Sequence, residues 1–233
     1  MSALKITILG CGSSFGVPLF HNIWGKCDPD EPKNRRTRPS ILVQKNGKNL
    51  LIDTSPDLKQ QFLSNKIDNI DAVFYTHEHA DHTHGINELR SINLIHGKII
   101  PCYGNKQTMD KITNSFNYLF ENTEKSYYPA ILSNNLFSSN EFDIFGINIK
   151  LISQNHGNID SIGFIFDDKV AYNLDVKYFY DQDGYFKRIE NIDHWIVGCL
   201  RIEPHISHAC LSEVKEWLDV VKPKNAYLSH MTA

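Results

Sequence analysis

Asp71-Ala72-Val73-Phe74-Tyr75-Thr76-His77-Glu78-His79-Ala80-Asp81-His82 is the stretch on which the reading turns. Its first half is apolar, as expected of a buried strand. It then runs directly into four side chains of metal-ligating type within six residues. In extended geometry His77 and His79, two apart, point to the same side, so their imidazoles can meet at one ion. Asp81 and His82 follow at once and can turn toward a second ion beside the first. Imidazole with carboxylate suits zinc, manganese or iron, and the lack of thiolates argues against a closed structural site. A solvated loop that happens to hold histidines is the plainer alternative. Four ligand-type side chains together at a strand's C-terminal edge weigh against it.

Outward from this motif, strands and single helices alternate. Upstream, Ser40-Ile41-Leu42-Val43 and Asn49-Leu50-Leu51-Ile52 flank Asn46-Gly47, a hairpin signal because both turn positions need positive φ. Thr54-Ser55-Pro56-Asp57 predicts a helix start with a capping hydroxyl and an early proline. That helix carries Leu58, Phe62 and Leu63 on one side. Downstream, Ile86, Leu89, Ile92 and Ile95 predict a helix, residues 99–102 a short strand, and residues 108–120 a further helix. Strand-like runs cover 142–153, and Asp167-Asp168-Lys169 turns a second hairpin between 162–166 and 170–174. Residues 194–200 read as a strand. Val214, Trp217, Leu218 and Val221 form an amphipathic stripe that Pro223 stops, and Ala226-Tyr227-Leu228 is a last strand ending at His230. The loop from Pro18 to Pro39 is too long for a simple connection and reads as a binding or lid element. This pattern predicts one mixed α/β domain over residues 1–233, with sheets packed together and helices outside.

The 233 residues carry 24 Lys+Arg against 27 Asp+Glu, a formal charge of −3. A broad electrostatic footprint for long nucleic acid is therefore disfavoured. The basic run Lys33-Asn34-Arg35-Arg36-Thr37-Arg38 reads as a solvated loop face, from which Arg38 or its neighbours could meet an anionic substrate. No apolar run approaches the roughly 18 residues of a membrane span. Five cysteines (Cys11, Cys27, Cys102, Cys199, Cys210) show no Cys-x-x-Cys and no disulfide-framework spacing, so a reducing cytoplasm is expected. Gly10-Cys11-Gly12-Ser13-Ser14-Phe15-Gly16 begins like a phosphate cradle. No helix signal follows it, and a tight turn beside the active site is expected instead.

On these residues the chain resembles the metallo-β-lactamase-fold hydrolases, whose signature His-x-His-x-Asp-His stands here as His77, His79, Asp81 and His82. The resemblance continues through Gly10-Cys11-Gly12-Ser13-Ser14, Leu51-Ile52-Asp53-Thr54-Ser55-Pro56, residues 201–208, and Lys222-Pro223-Lys224 before Tyr227-Leu228-Ser229-His230. It is similar in particular to the branch containing the phosphoribosyl cyclic phosphodiesterase of the phosphonate pathway. The resemblance implies an αββα sandwich, two packed mixed β-sheets with helices on the outside, and two divalent ions, Zn or Mn. It places His77, His79 and His156 on one ion and Asp81, His82 and His230 on the other, with Asp175 bridging. It also implies a hydroxide shared by the two ions as nucleophile, with Asp81 orienting its proton. His208, or else His205, would then be general acid or phosphate contact. Capping of the following helix is the structural alternative for both. His84 could orient a ligand, while His21, His96 and His194 read as ordinary surface or packed histidines.

Three departures stand out. Only Cys27 remains of the cysteine-rich zinc site found in some relatives, so no third, structural metal is expected. Gly198 occupies a strand end where relatives tend to carry Asp, removing a carboxylate that could support the metals. The sequence stops three residues past His230, where relatives continue, so that histidine is expected to be poorly held. The leading expectation is a dinuclear metal phosphodiesterase acting on a small anionic phosphate ester, cyclic esters included. The same attack at carbon would give thioester or lactone hydrolysis. Ribonuclease Z-like tRNA processing is weakened by the −3 charge and the lack of a basic, glycine-rich arm. A degenerate metal-binding protein is the alternative from a different class. No membrane partner is expected, nucleic acid is disfavoured, and a homodimer is left open.

Overall fold

Asn46 and Gly47 take φ of 52° and 73° and join β2 (Ser40–Lys45) to β3 (Lys48–Ile52) in the hairpin their sequence predicts. In the computed structural model, which describes residues 2–122 and 129–233, this hairpin belongs to the first of two units, Met1–Gly10 with Arg38–Ser138. There β1 (Lys5–Gly10) pairs antiparallel with β2. On the other side β4 (Ala72–Phe74), β5 (Ile100–Gly104) and β6 (Leu132–Leu136) add in order, each parallel to its neighbour. The parallel strands read as continuous apolar runs because they have no solvent face to mark with polar residues: Leu50 to Ile52 and Ala72 to Phe74 are all buried.

The first unit's helices are α1 (Leu58–Asn65), the single turn α2 (Ala80–Thr83), α3 (Leu89–His96), α4 (Lys106–Ser115) and α5 (Asn117–Phe120). Helices this short are marginal alone. They are fixed by Leu58, Phe62, Leu89, Ile92, Met109 and Ile112, which share a core with Leu51, Val73, Tyr75 and Ile100. Each such side chain contributes roughly 1.5–3 kcal/mol on leaving water.

Several local expectations are corrected here. Helix α1 begins at Leu58, four residues past Thr54, and Asp57 at its N-cap makes no side-chain cap bond. The Thr54 hydroxyl instead donates to Thr83 O (3.0 Å) and meets Tyr75 Oη (3.1 Å), while Ser55 Oγ accepts from Asp57 N (3.2 Å). Leu63 is 72% exposed and Ile95 71%. At 100° per residue, Leu63 lies about 140° round from Leu58, and a three-residue spacing drifts by about 60° per step. Ile95 has thus left the face that Ile86, Leu89 and Ile92 bury.

The second unit comprises Cys11–Thr37 with Ser139–Ala233. Its strands are β7 (Glu141–Ile144), β8 (Ile147–His156), β9 (Ile159–Phe166), β10 (Val170–Asn173), β11 (Tyr178–Phe179), β12 (His194–Gly198) and β13 (Asn225–Ser229). They order β11-β8-β9-β10-β12-β13, with β7 against β8. β10, β12 and β13 run parallel and the remaining pairs antiparallel. Asp167 and Asp168, both at φ 53°, close the second predicted hairpin. Alongside α6 (Gln182–Arg188), helix α7 (Leu211–Val221) buries Val214, Trp217 and Val221 as its stripe predicts, and ends in the left-handed Lys222 before Pro223. Two mixed sheets with helices are the expected α/β class.

The glycine-rich loop is a turn, Gly16 N donating to Ser13 O (2.8 Å). A β-carbon on Gly12 would lie 2.7 Å from Arg36 O. Lys33 and Arg35 of the basic run are exposed, as a solvated loop face requires, and its three arginines each have a partner within the fold. Arg35 stacks over Trp24 (4.8 Å), Arg36 donates to Thr232 O (2.9 Å), and Arg38 grips both oxygens of Asp57 (2.9 and 2.6 Å). Among the described residues, no helix is long and apolar enough to cross a membrane.

Candidate metal centre

In the first unit the site is built on two strand-end loops stitched together. After β3, Asp53 takes φ 62° and Thr54 N donates to His82 O (2.7 Å). Gly85 N returns a bond to Thr54 O (2.9 Å). Gly85 has no substitute at that crossing, since its β-carbon would sit 1.9 Å from Ser55 O. After β4 the chain stays extended through His79 (φ −62°, ψ 152°) and then coils into α2, which turns Asp81 and His82 back. His77 Nε2 and His79 Nδ1 stand 3.0 Å apart, and His82 Nε2 stands 3.3 Å from Asp81 Oδ2.

The fully buried Asp53 organises this set. Its carboxylate accepts from Thr76 N (2.8 Å), from Thr76 Oγ1 (2.9 Å) and from His82 Nδ1 (2.7 Å). Burial pushes the Asp53 carboxyl up, and the neighbouring His82 pulls the other way. Because the Thr76 hydroxyl proton is committed to Asp53, the 2.9 Å contact between Thr76 Oγ1 and His77 Nδ1 has the ring as donor. One carboxylate therefore places the proton of both His77 and His82 on Nδ1 and the lone pair on Nε2, the arrangement that carboxylate–histidine–metal triads use. In the sequence Asp53 stands within Leu51-Ile52-Asp53-Thr54-Ser55-Pro56 with no role of its own. Its signal in the sequence is a lone acid between the apolar run Leu50-Leu51-Ile52 and Thr54-Ser55-Pro56.

In the second unit a matching set surrounds Asp175, itself buried and at φ 46°. Its Oδ1 lies 3.7 Å from His156 Nε2, 3.6 Å from His208 Nδ1 and 3.4 Å from His230 Nε2. His156, Asp175 and His208 offer ligand atoms within 4.8 Å of one another. His156 Nδ1 donates to Ser207 O (2.8 Å), which again leaves the lone pair on Nε2. That approach depends on Gly157 (φ 75°), whose β-carbon would meet Ser207 Cβ at 2.7 Å. The His208 ring stacks on His230 (4.9 Å, 17°) and meets His156 edge-on (4.5 Å). Burial and the neighbouring histidines push its imidazole down to about 3 against the pull of Asp175, so the ring is neutral at pH 7.

Two expectations change on this geometry. Helix α7 is capped by Cys210 with Glu213, whose carboxylate accepts from Cys210 N (2.8 Å), so neither His205 nor His208 serves the cap. His230 is fully buried, and the residues behind it are held by backbone bonds: Met231 N to Cys11 O (3.0 Å), Ser13 N to Met231 O (3.0 Å) and Thr232 N to Leu200 O (2.9 Å). His205 contacts Ser207 N (3.3 Å) and lies 5.2 Å from the His208 ring. His84 is exposed, bonded to Thr83 Oγ1 (3.0 Å) and set against Phe116. His96 bonds Asp68 O and His194 meets Tyr227 Oη, while His21 is exposed at φ 60°, all surface positions as expected.

The donor set fits metal. Two ligands about 2.1 Å from a tetrahedral ion lie about 3.4 Å apart, and the separations within each set run from 3.0 to 3.7 Å. Imidazole and carboxylate without thiolate are donors suited to divalent ions such as zinc, manganese or iron.

Comparison with known proteins agrees. A family model described as "Beta-lactamase superfamily domain" matches residues 48–231. A diphosphatase from the PhnP family superposes with a TM-score of 0.86 at 30% identity, covering 99% of this chain and 87% of that one. An octanoyltransferase of Porphyromonas gingivalis (strain ATCC BAA-308 / W83) is 30% identical over 234 residues, 98% of this chain and 46% of that protein. This chain thus spans under half the length of that relative. A ribonuclease Z of Methanopyrus kandleri is 34% identical over 76 residues, 31% of this chain and 27% of that one. With two mixed sheets, two His/Asp sets at their strand ends and these matches, the chain belongs to the β-lactamase superfamily, with the metallo-β-lactamase fold and kinship to the PhnP family.

Proposed function

We propose that the chain is a metal-dependent hydrolase of small phosphate diesters, acting as one domain in the reducing cytoplasm, where its five free cysteines would persist. In this reading the two ligand sets serve one dinuclear centre. His77, His79 and His156 hold one ion, Asp81, His82 and His230 hold the other, and Asp175 is shared. The observation that carries it is the set of Nδ1 contacts. His77, His82 and His156 each have Nδ1 tied to a protein oxygen within 2.9 Å, which presents Nε2 for ligation. When bound, two divalent ions would supply an acidified water and positive charge facing the phosphate.

The chain's own groups supply the rest. Asp53 orients His82 directly and His77 through Thr76, and Asp81 accepts or steers a proton at its carboxylate. Neutral His208 offers a ring N–H to a phosphate oxygen, and the half-exposed His205 beside it passes a proton toward the leaving group. Support for phosphorus as the electrophile comes from the diphosphatase relative, which this chain covers to 87%. A second reading, hydrolysis of an acyl thioester, is favoured by the relative named octanoyltransferase, which matches 98% of this chain.

Metal analysis with turnover of bis(p-nitrophenyl) phosphate in added manganese or zinc tests the proposal. Two bound ions, with turnover abolished by His79→Ala, support it. Full metal occupancy with no ester cleaved under either metal overturns it. Cleavage of an octanoyl thioester while the phosphodiester stays inert moves the assignment to carbon.

A further inference from the structure

Apart from its ligand set, the second unit buries a chain of polar side chains that the proposed chemistry does not use. Gln154, Ser161 and Asn173 have no exposure at all. Buried amides and hydroxyls are tolerated only when satisfied, and here every bond has a forced direction. Trp195 Nε1 can only donate, and it donates to Asn173 Oδ1 (2.8 Å), joined there by Tyr185 Oη (2.5 Å). With its oxygen so engaged, Asn173 turns Nδ2 to Gln154 Oε1 (3.0 Å). Gln154 Nε2 then points to Ser161 Oγ (3.0 Å) and to Leu174 O. Ser161, accepting from Gln154, donates its own proton to Asp175 O (2.8 Å). The relay ends on the two carbonyls that flank the Asp175 Cα.

Asp175 needs such support, because φ 46° is a conformation that a residue with a β-carbon disfavours and keeps only where its surroundings over-determine it. Two glycines make the clamp possible. A β-carbon on Gly163 would fall 2.2 Å from Asn173 Nδ2 and 2.8 Å from Gln154 Oε1. One on Gly198 would press on Asp175 N and Leu174 Cα at 3.3 Å. Gly198, which has no carboxylate to offer the metals, lets β12 back directly onto the Asp175 backbone.

We propose that Trp195, Asn173, Gln154 and Ser161 form a positioning network that clamps the Asp175 backbone and so aims its carboxylate for metal binding. The proposal rests on the reading of Asp175 as a shared ligand. Its test is cobalt(II) binding by the full-length protein, followed by calorimetry and by visible absorption, which reports ligand geometry. Asp175→Asn, Ser161→Ala and Gln154→Met should each weaken binding of at least one ion by about 10- to 100-fold and alter the cobalt spectrum. Ile165→Val, buried in the same sheet but outside the network, should leave both unchanged. Wild-type affinity and spectrum in Ser161→Ala and Gln154→Met, with Asp175→Asn impaired, would mean that the network only packs strands and overturns the proposal. No effect from Asp175→Asn itself would show that the ligand reading had failed, and the clamp with it. Should Gln154→Met not fold, Ser161→Ala removes a single hydroxyl and decides alone.

Discussion

Asp53→Ala is the substitution that most directly probes how the histidine motif is held. It deletes the acceptor of three bonds of 2.7–2.9 Å in a fully buried site. Thr76 N–H is left without its acceptor, and His82 loses the partner that keeps its proton on Nδ1. A buried group stripped of its partner costs about 1–3 kcal/mol, and here two are stripped, the Thr76 N–H and the neutral His82 Nδ1–H. The metal-free protein should therefore lose about 4 kcal/mol. For a chain of this size that lowers the midpoint of thermal unfolding by about 8–16 °C, measured by circular dichroism in excess chelator. The near-isosteric Asp53→Asn separates stability from orientation. Its amide can still accept from Thr76 N, but facing His82 it becomes a donor and drives the imidazole proton to Nε2, the ligating nitrogen. Zinc affinity, measured by competition with a chromophoric chelator, should fall about 10- to 100-fold, equal to about 1.4–2.7 kcal/mol. If Asp53→Ala melts within about 2 °C of wild type and binds zinc equally well, the tautomer argument is wrong.

Gly85→Ala drives a β-carbon into Ser55 O, 1.9 Å away. It should cost about 3 kcal/mol, the upper part of the overpacking range, read as a lower urea midpoint; a change under about 1 kcal/mol would contradict the packing of these loops. At Asp57, burial pushes the carboxyl up, but the Arg38 guanidinium and backbone N–H outweigh it and hold the group below the usual carboxylate range. A depressed native pKa means that stability is present above the unfolded value of about 3.9 and is lost as pH falls through the native one. The stability gap between wild type and Asp57→Asn should thus be constant from pH 7 to about 5 and close below about pH 4, and a gap that widens in acid would refute the pairing. Zinc at about a thousand times its Kd should raise stability by about 4 kcal/mol over chelated protein, and an unmoved melting midpoint would sink the metal assignment.

The parts that were legible in the sequence depend on near neighbours. Asn46-Gly47 announces its turn because positive φ is a property of those two residues. Val214, Trp217 and Val221 announce a buried helix face because 3.6-residue periodicity is local. The histidine motif is legible because four donors lie within six residues. Leu63 and Ile95 misled because a short apolar spacing does not say where a helix begins or how far round its buried face extends. Gln154, Ser161 and Asn173 are silent because each read alone is an ordinary polar residue, and Asp53 signals only as a lone acid after an apolar run. Their partners lie 12 to 29 positions away for most of these bonds, distances over which no periodicity carries information.

What the sequence by itself determined is the donor chemistry: imidazoles and carboxylates at strand ends in a mixed α/β chain, without thiolates, and therefore the kind of ion it can hold. What only the tertiary structure decided is which nitrogen of each ring carries the proton and which way each carboxylate faces. Those are settled by hydrogen-bond partners that become neighbours when separate strands align, and a buried donor or acceptor has no water with which to make any other choice.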